Sequence, residues 1–238
     1  MRKNSLLAVI YKQMHDCLRN KLIILMIFMY PILTYIFYFL LHDTPEAINM
    51  VIPIFITMHI IMTPIICMSS IISEEKEKNT LKVLFFSNVK GREYLLGVGM
   101  VILFILILSL IPYLLILDFT IMELSIFYLF SIFGLITSLL LGAVIGIVAK
   151  NQMSVGTISS PLSMIIGLLP MMAVFNTTIN KFSKIIYSKQ IYDIVYKFLV
   201  SEEVDYQTLI LICISNMIVF IFMFSIVYRR TGVENPNR

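Results

Sequence analysis

The densest cluster of ionisable side chains in this sequence lies between two long apolar runs. In chain order it holds Glu74, Glu75, Lys76, Glu77 and Lys78, and Glu74 and Lys78 have the spacing and order that stabilise a helix. Apolar residues then recur at helical spacing, at Leu81, Leu84 and Phe85. A charged turn followed by an apolar face predicts a helix that recognises a partner protein. The alternative is a solvated charged turn whose apolar side lies on a membrane.

Few other residues in the chain point to catalytic or transport chemistry. Ion-coupled carriers normally place ionisable residues inside their spans. Here His59 is the one such side chain deep in an apolar run, and a lone histidine is more often a neutral, hydrogen-bonded residue than a proton relay. An intramembrane enzyme needs converging acids or a nucleophile with a base, and Cys67 has no charged neighbour in its run. The phosphate-loop pattern GxxxxGK[ST] does not occur. If the chain pumps a substrate, the energy therefore comes from another subunit.

Long uncharged runs dominate the 238 residues, of which 59% are hydrophobic and 13% charged. These proportions are typical of an integral membrane protein and exclude an ordinary soluble domain or a disordered tail. Six runs are long enough to cross a bilayer, at residues 22–41, 48–72, 97–117, 124–149, 153–175 and 209–228. Because these runs lack the polar–apolar alternation of barrel strands, they predict one all-α domain over residues 1–238 with six transmembrane helices.

The basic residues predict the orientation of this domain. Fourteen of the 18 lysines and arginines fall before the first span, between spans two and three, between spans four and five, or after span six. The other four lie in one loop between spans five and six. Since cytoplasmic loops carry the excess of basic residues, both termini are expected to be cytoplasmic.

Two further segments show amphipathic patterns outside the spans. Residues 5–18 have apolar positions at helical spacing among basic residues, which predicts a helix on the inner leaflet; the alternative is a basic flank that only sets topology. The loop of about residues 176–206 predicts two short amphipathic helices at the outer interface, broken near residues 188–190. The alternative for this loop is an unstructured connection.

The segment between spans two and three resembles the corresponding segment of ABC-2 type transporter permeases. The matching residues are Glu74, Glu75, Glu77, Thr80, Leu81, Leu84, Arg92, Glu93, Leu95, Leu96 and Gly97. The order of an N-terminal interfacial helix, six spans and a longer outer segment before span six is similar as well. Two positions depart from the family pattern. Asn79 stands where glycine is common, and Asn88, which follows Ser87, stands where the family often has a proline after serine or threonine.

The resemblance implies a partner and a location for the chain. An ABC ATPase would dock under the inner loop, with its ATP and magnesium bound there and no cofactor held by this chain. Polar groups of the ATPase would pair with Glu74, Glu75 and Glu77, while Thr80, Leu81, Leu84 and Phe85 would belong to the helix that fills its groove. Two ATPase copies and a second copy of this chain, or a related permease, would complete a transporter in a bacterial cytoplasmic membrane. No nucleic acid is expected.

In that family spans two and five form the seam between permeases, so these spans are the expected pathway walls. The candidate lining residues are Met58, His59, Met62, Ser160, Met164 and Met171. Methionine adapts to varied apolar shapes, although ordinary packing is the alternative for any one of them. A seam without charged rings favours a hydrophobic or amphipathic peptide, such as a bacteriocin, lantibiotic or peptide toxin, over a small ion. Drug or lipid export is an alternative, as is a non-transporting scaffold or immunity protein.

Span four carries a stripe of small residues, Gly134, Ser138, Gly142 and Gly146, each four positions apart. Such a stripe allows two helices to approach closely, within one subunit or between two. Because the family seam uses other spans, we expect packing within the chain.

Overall fold

The computed structural model describes residues 4–87 and 89–231, and this part of the chain is helical without strands. Among these residues, six helices are long and apolar enough to cross a membrane. They are α2 (Lys21–Leu40), α3 (Pro45–Glu77), α5 (Gly91–Leu108), α6 (Ile121–Val148), α7 (Gln152–Phe175) and α10 (Tyr206–Thr231). The shorter helices are α1 (Asn4–Arg19), α4 (Thr80–Phe86), α8 (Thr177–Ser183) and α9 (Tyr187–Leu199). The prediction of an all-helical protein with six spans is confirmed.

Helix α3 is the centre of the bundle and packs against α2, α6, α7 and α9. Its isoleucines Ile56, Ile60, Ile61 and Ile65 are completely buried. Lipid can cover an apolar helix surface, but α3 also carries the polar side chains Thr57, His59 and Thr63, which are buried among the other helices. These polar residues favour a position inside the bundle.

Small residues bring α6 close to α3. A Cβ atom added to Gly142 would lie 2.7 Å from the backbone oxygen of Ile65, and one on Gly146 would lie 2.9 Å from Cβ of Ile72. A Cβ on Gly134 would meet Ile60 of α3 and Ile191 of α9. The expectation that this stripe packs within the chain is confirmed.

Two spans differ most from their predicted limits. Helix α3 continues beyond residue 72 to Glu77, because the charged residues there extend the helix out of the apolar run without breaking it. Helix α5 ends at Leu108 and is followed by a short 3-10 helix, Ile111–Leu115, where the sequence predicted one span to residue 117. Pro112 lacks the N–H that would bond the carbonyl of Leu108, which explains the interruption.

The outer end of the bundle is covered by α8 and α9. One face of α9 is buried, and its Tyr187 hydroxyl lies 2.9 Å from Oγ of Ser138 in α6. Two short helices are present as predicted, but the break falls at residues 184–186 and not at 188–190. Gln190 belongs to the second helix and donates back across the break to the carbonyl of Lys184, 2.6 Å away.

Helix α1 crosses the opposite end of the bundle, which also carries α4 and the turn between α6 and α7. We call it the inner end because the basic residues predict that these segments face the cytoplasm, and the end covered by α8 and α9 is the outer end. Val9 packs directly on α5, since a Cβ on Gly97 would lie 2.7 Å from its Cγ1 atom. Ser5 donates a 3.0 Å hydrogen bond to Glu93 at the start of α5. Leu7 and Tyr11 are exposed on the other side of α1. The amphipathic helix predicted for residues 5–18 is thus present and is fastened to the bundle.

Candidate functional site

The last turn of α3 is a junction at which the inner ends of several helices meet. Its residues are Glu74, Glu75, Lys76 and Glu77, and we call them the junction turn. Glu74 forms an ion pair with Lys78 one turn further along the chain. The other three contact α1, α6 and α7 respectively. The acidic and basic segment singled out by the sequence is therefore a structural connection as well as an exposed surface.

Glu75 connects α3 to α1. Its buried side chain forms an ion pair with Lys12, which also contacts Asp16 at 3.2 Å. The Tyr94 hydroxyl of α5 lies close to the same carboxylate. Burial lowers the pKa of Lys12, but the hydrogen bonds and negative charges of Glu75 and Asp16 outweigh burial, and the pKa of Lys12 is raised overall. Lys12 therefore stays charged and holds α1 against the junction turn.

Lys76 connects α3 to the end of α6. Its Nζ atom lies 2.7 Å from the carbonyl oxygen of Ile147, 2.5 Å from that of Ala149 and 3.4 Å from that of Gly146. The last carbonyls of a helix have no partner within the helix, and they carry the negative end of its dipole. A lysine ammonium group from a neighbouring helix donates to these carbonyls and places a positive charge at the negative end of the dipole. Lys76 therefore acts as a C-terminal cap for α6.

Glu77 connects α3 to the start of α7. A carboxylate oxygen of Glu77 accepts a 3.1 Å hydrogen bond from the backbone N–H of Gln152, the first residue of that helix. Free N–H groups and the positive end of the dipole favour a carboxylate at this position. Asn151 caps the same helix from its own chain segment, 2.9 Å from the N–H of Ser154. The junction turn thus holds both sides of the short connection between α6 and α7.

The chain turns sharply between α3 and α4 at Asn79. This residue has a φ angle of 56°, in the left-handed region that favours glycine and that asparagine tolerates better than most residues. Thr80 then donates a 3.1 Å hydrogen bond from its hydroxyl to the carbonyl oxygen of Glu75. These two residues fix the direction of α4 relative to α3. Glycine would adopt this angle without strain.

Helix α4 presents a different apolar face to solvent from the one predicted. Leu81 is buried and Leu84 is half-buried against the core of the chain. Val83 and Phe86 point outward, with 63% and 75% of their surfaces exposed. The structure describes the backbone of Phe85 but not its side chain.

The residues that the sequence predicted to contact a partner therefore fall into two groups. Glu74 and Glu77 lie at the surface of the junction, whereas Glu75 and Leu81 are turned into the chain and are available to a partner only indirectly. Sequence reasoning missed Lys12, because Lys12 and Glu75 are 63 positions apart and no local pattern relates them. It also missed Val83 and Phe86, although their i, i+3 spacing would have allowed that face to be considered.

The six candidate pathway residues are not brought together on one surface. Ser160, Met164 and Met171 lie on the exposed face of α7. Met58 and Met62 are half-buried between α3 and α7, where a Cβ on Gly167 would lie 3.3 Å from Cγ of Met62.

His59 points into the chain and away from the exposed face of α7. Its Nε2 atom lies 2.8 Å from Oγ of Ser109, and its Nδ1 atom lies 3.4 Å from Oγ1 of Thr63. Ser109 donates its hydroxyl proton to the carbonyl of Leu106, so Nε2 of His59 donates to Ser109 and Nδ1 accepts from Thr63. This arrangement is that of a hydrogen-bonded core histidine.

Comparison with known families gives the geometry its context. The family described as ABC-2 family transporter protein matches residues 49–229, which include the junction turn, α4 and all helices that follow. The chain belongs to the ABC-2 transporter family. A search of curated proteins finds no match to the permease.

Membership of this family makes the chain a membrane permease of an ABC transporter, a multi-pass protein that works with an ABC ATPase. The permease is a membrane transport component. Within the described ranges, no group of three histidine, cysteine, aspartate or glutamate side chains is arranged to hold a metal ion. The junction turn and α4 form the candidate functional site, because they connect α3 to α1, α6 and α7.

Proposed function

We propose that this permease is half of the membrane pathway of an ATP-driven exporter, and that its ATPase docks on the outward face of α4. The observation that carries the proposal is the junction turn, since one turn of α3 contacts α1, α6 and α7 directly beside the exposed α4. In this scheme ATP and magnesium are bound by the ATPase, and the permease holds no cofactor.

The docking surface would be centred on Val83 and Phe86. Two exposed apolar side chains on a short helix outside the spans are suited to a groove in a partner protein. Lys82 of α4 and Glu74 of the junction turn would supply charges for the rim of the interface. Of the residues predicted from sequence, Glu74, Glu77 and Leu84 retain a proposed contact, while Glu75, Thr80 and Leu81 would support α4 from behind.

Movement of α4 would reach the transmembrane helices through the junction turn. Thr80 ties α4 to the backbone of Glu75, and Glu75 ties α3 to α1. Lys76 and Glu77 hold the two ends of the connection between α6 and α7. A displacement of α4 by the ATPase would therefore shift α3, α6 and α7 together at their inner ends.

The pathway itself would form between two permeases. The exposed face of α7, with Ser160, Met164 and Met171, would face a second copy of this chain or a related permease, and each permease would bind one ATPase. A surface of methionine and serine suits a hydrophobic or amphipathic peptide, and export from the cytoplasm of a bacterium, or self-immunity to the peptide, would be the role. Export of drugs or lipids is the alternative cargo assignment.

Affinity purification from native membranes tests the docking proposal. The tagged permease should retain an ABC ATPase in near-equal amount, and the double variant Val83→Ser with Phe86→Ser should lose it. The matched control is Ile121→Ser with Met122→Ser, which changes two equally exposed apolar residues at the outer end of α6. An ATPase that stays bound to the α4 variant would contradict the proposed surface.

A second measurement separates transport from a scaffold role. The purified complex, reconstituted in vesicles, should hydrolyse ATP faster when an amphipathic peptide substrate is added. Since a scaffold or immunity protein needs only the docking surface, ATP hydrolysis that no peptide, drug or lipid stimulates would favour that alternative.

A further inference from the structure

A cleft of about 780 Å³ lies between α5, α6 and α10. Helix α6 forms its floor with residues such as Leu139 and Ala143, while Leu96 and Met100 of α5 and Phe224 of α10 form its walls. None of the proposed pathway residues lines this cleft. Its volume is in the range of about 300–1,000 Å³ that is usual for small-molecule sites.

One end of the cleft is positively charged, and the rest of it is lined mainly by apolar residues. Arg92, in the first turn of α5, and Arg229, in the last turn of α10, both line it at the inner end of the bundle. No carboxylate lines it within the described residues, because the neighbouring Glu93 is turned toward Ser5 and the N–H of Lys90. Two guanidinium groups at the head of an apolar groove match an anion attached to a hydrocarbon chain.

The length of the cleft fits one leaflet of a membrane. From Arg92 to Leu103 the helix rises about 16 Å at about 1.5 Å per residue, and half of a hydrocarbon core is about 15 Å. The groove is also open where a chain would lie, since a Cβ added to Gly99 would meet no atom within 4 Å. Leu96 and Met100 are exposed, so a lipid can enter from the side.

We propose that this cleft binds an anionic phospholipid of the inner leaflet, with its phosphate on Arg92 and Arg229 and an acyl chain along α5 over Gly99. The lipid would fill the space between α5 and α10, both of which pack against α6. This site is independent of the cargo and of the ATPase surface.

The permease contains no tryptophan, so one introduced tryptophan is a selective reporter. Met100→Trp places the reporter in the cleft, and Ile32→Trp places a control on the exposed face of α2. Each variant is reconstituted in phosphatidylcholine vesicles that contain a minor fraction of either phosphatidylglycerol or phosphatidylcholine with a dibrominated acyl chain. Bromine quenches tryptophan only at close range and reports a lipid chain, so free phosphate gives no signal.

We expect brominated phosphatidylglycerol to quench the Met100→Trp reporter with roughly tenfold higher apparent affinity than brominated phosphatidylcholine. The two lipids should quench Ile32→Trp equally. The preference should disappear with Arg92→Gln and Arg229→Gln and persist with Lys21→Gln and Lys150→Gln, which remove two bases elsewhere at the inner end. Added to the Met100→Trp variant, Gly99→Phe should fill the groove and reduce quenching by both lipids.

Equal quenching of the cleft reporter by both lipids would overturn the proposal, as would a preference that survives loss of both arginines. Leu103→Trp is a second reporter in the cleft, to be used if Met100→Trp does not yield folded protein. With this reporter too, equal quenching by both lipids or a preference that survives loss of both arginines would overturn the proposal.

Discussion

The ammonium nitrogen of Lys76 lies 2.7 Å from the carbonyl oxygen of Ile147, so a side chain of α3 caps the end of α6. Replacement of Lys76 by methionine would leave the carbonyls of Ile147 and Ala149 without this donor. We expect the permease to lose about 1–2 kcal/mol of stability, and its melting temperature in detergent to fall by about 2–6 °C. ATP hydrolysis by the reconstituted complex should become less responsive to cargo.

Lys78→Met is the matched control for this prediction, since it removes the same charge from an exposed ion pair two residues away. Exposed pairs contribute about 0–1 kcal/mol, so the control should change the melting temperature less. A larger effect from Lys78→Met than from Lys76→Met would contradict the assignment of Lys76 as the cap.

The ion pair between Lys12 and Glu75 should be required for α1 to stay on the bundle. Lys12→Ala should increase protease cleavage within α1, and Lys12→Glu combined with Glu75→Lys should restore protection in part. The raised pKa of Lys12 means that its contribution is fully present below its ordinary value of 10.5 and is lost as the pH rises through the higher folded value. Protection that is equal at neutral pH with and without Lys12 would count against this contact.

Close packing between α6 and α3 predicts that Gly142 cannot be enlarged. A Cβ at this position would lie 2.7 Å from the backbone oxygen of Ile65, which cannot move without displacing α3. Gly142→Ala should lower the melting temperature by several degrees, as a cost of about 1–3 kcal/mol implies. Gly156→Ala in α7 meets no atom within 4 Å, so it should leave the melting temperature unchanged or slightly raised. Equal effects of the two changes would refute the close approach.

The left-handed backbone at Asn79 predicts which residues can connect α3 to α4. Asn79→Gly should retain ATPase binding and stability, because glycine adopts a φ of 56° without strain. Asn79→Val should cost about 1–2 kcal/mol or more and weaken ATPase binding, since a β-branched residue is strained at this angle. The comparison is made by co-purification of the ATPase with each variant. If valine binds as well as glycine, Asn79 does not set the direction of α4.

The six spans could be predicted from sequence because each is a long uncharged run, and hydropathy alone identifies such runs. The limits of α3 could not, because the charged residues up to Glu77 lower the hydropathy while they continue the helix. The break between α8 and α9 was misplaced for a related reason, since Ser188, Lys189 and Gln190 resemble a loop in composition. In the structure Lys189 pairs with Asp193 within the helix, and Gln190 reaches back to Lys184.

The candidate site was predictable in location but not in detail. The charged turn and the apolar residues after it indicated the segment, and the structure places the junction turn and α4 there. Contacts over long sequence separations decided the rest, since Lys12 meets Glu75 and Lys76 meets Ala149 only after the bundle has formed. Which side of α4 faces out depends on how α4 packs on α3, and Leu81 and Val83 are equally apolar in the sequence.

Site-specific photocrosslinking from α4 tests the central claim most directly. Phe86 is replaced by the photoreactive aromatic residue benzoylphenylalanine, and the control has the same residue at Met122, which is comparably exposed at the outer end of α6. Both are irradiated in native membranes. The account predicts a covalent adduct between position 86 and an ABC ATPase, and no such adduct from position 122. An ATPase that co-purifies with the permease but does not crosslink to position 86 would contradict it.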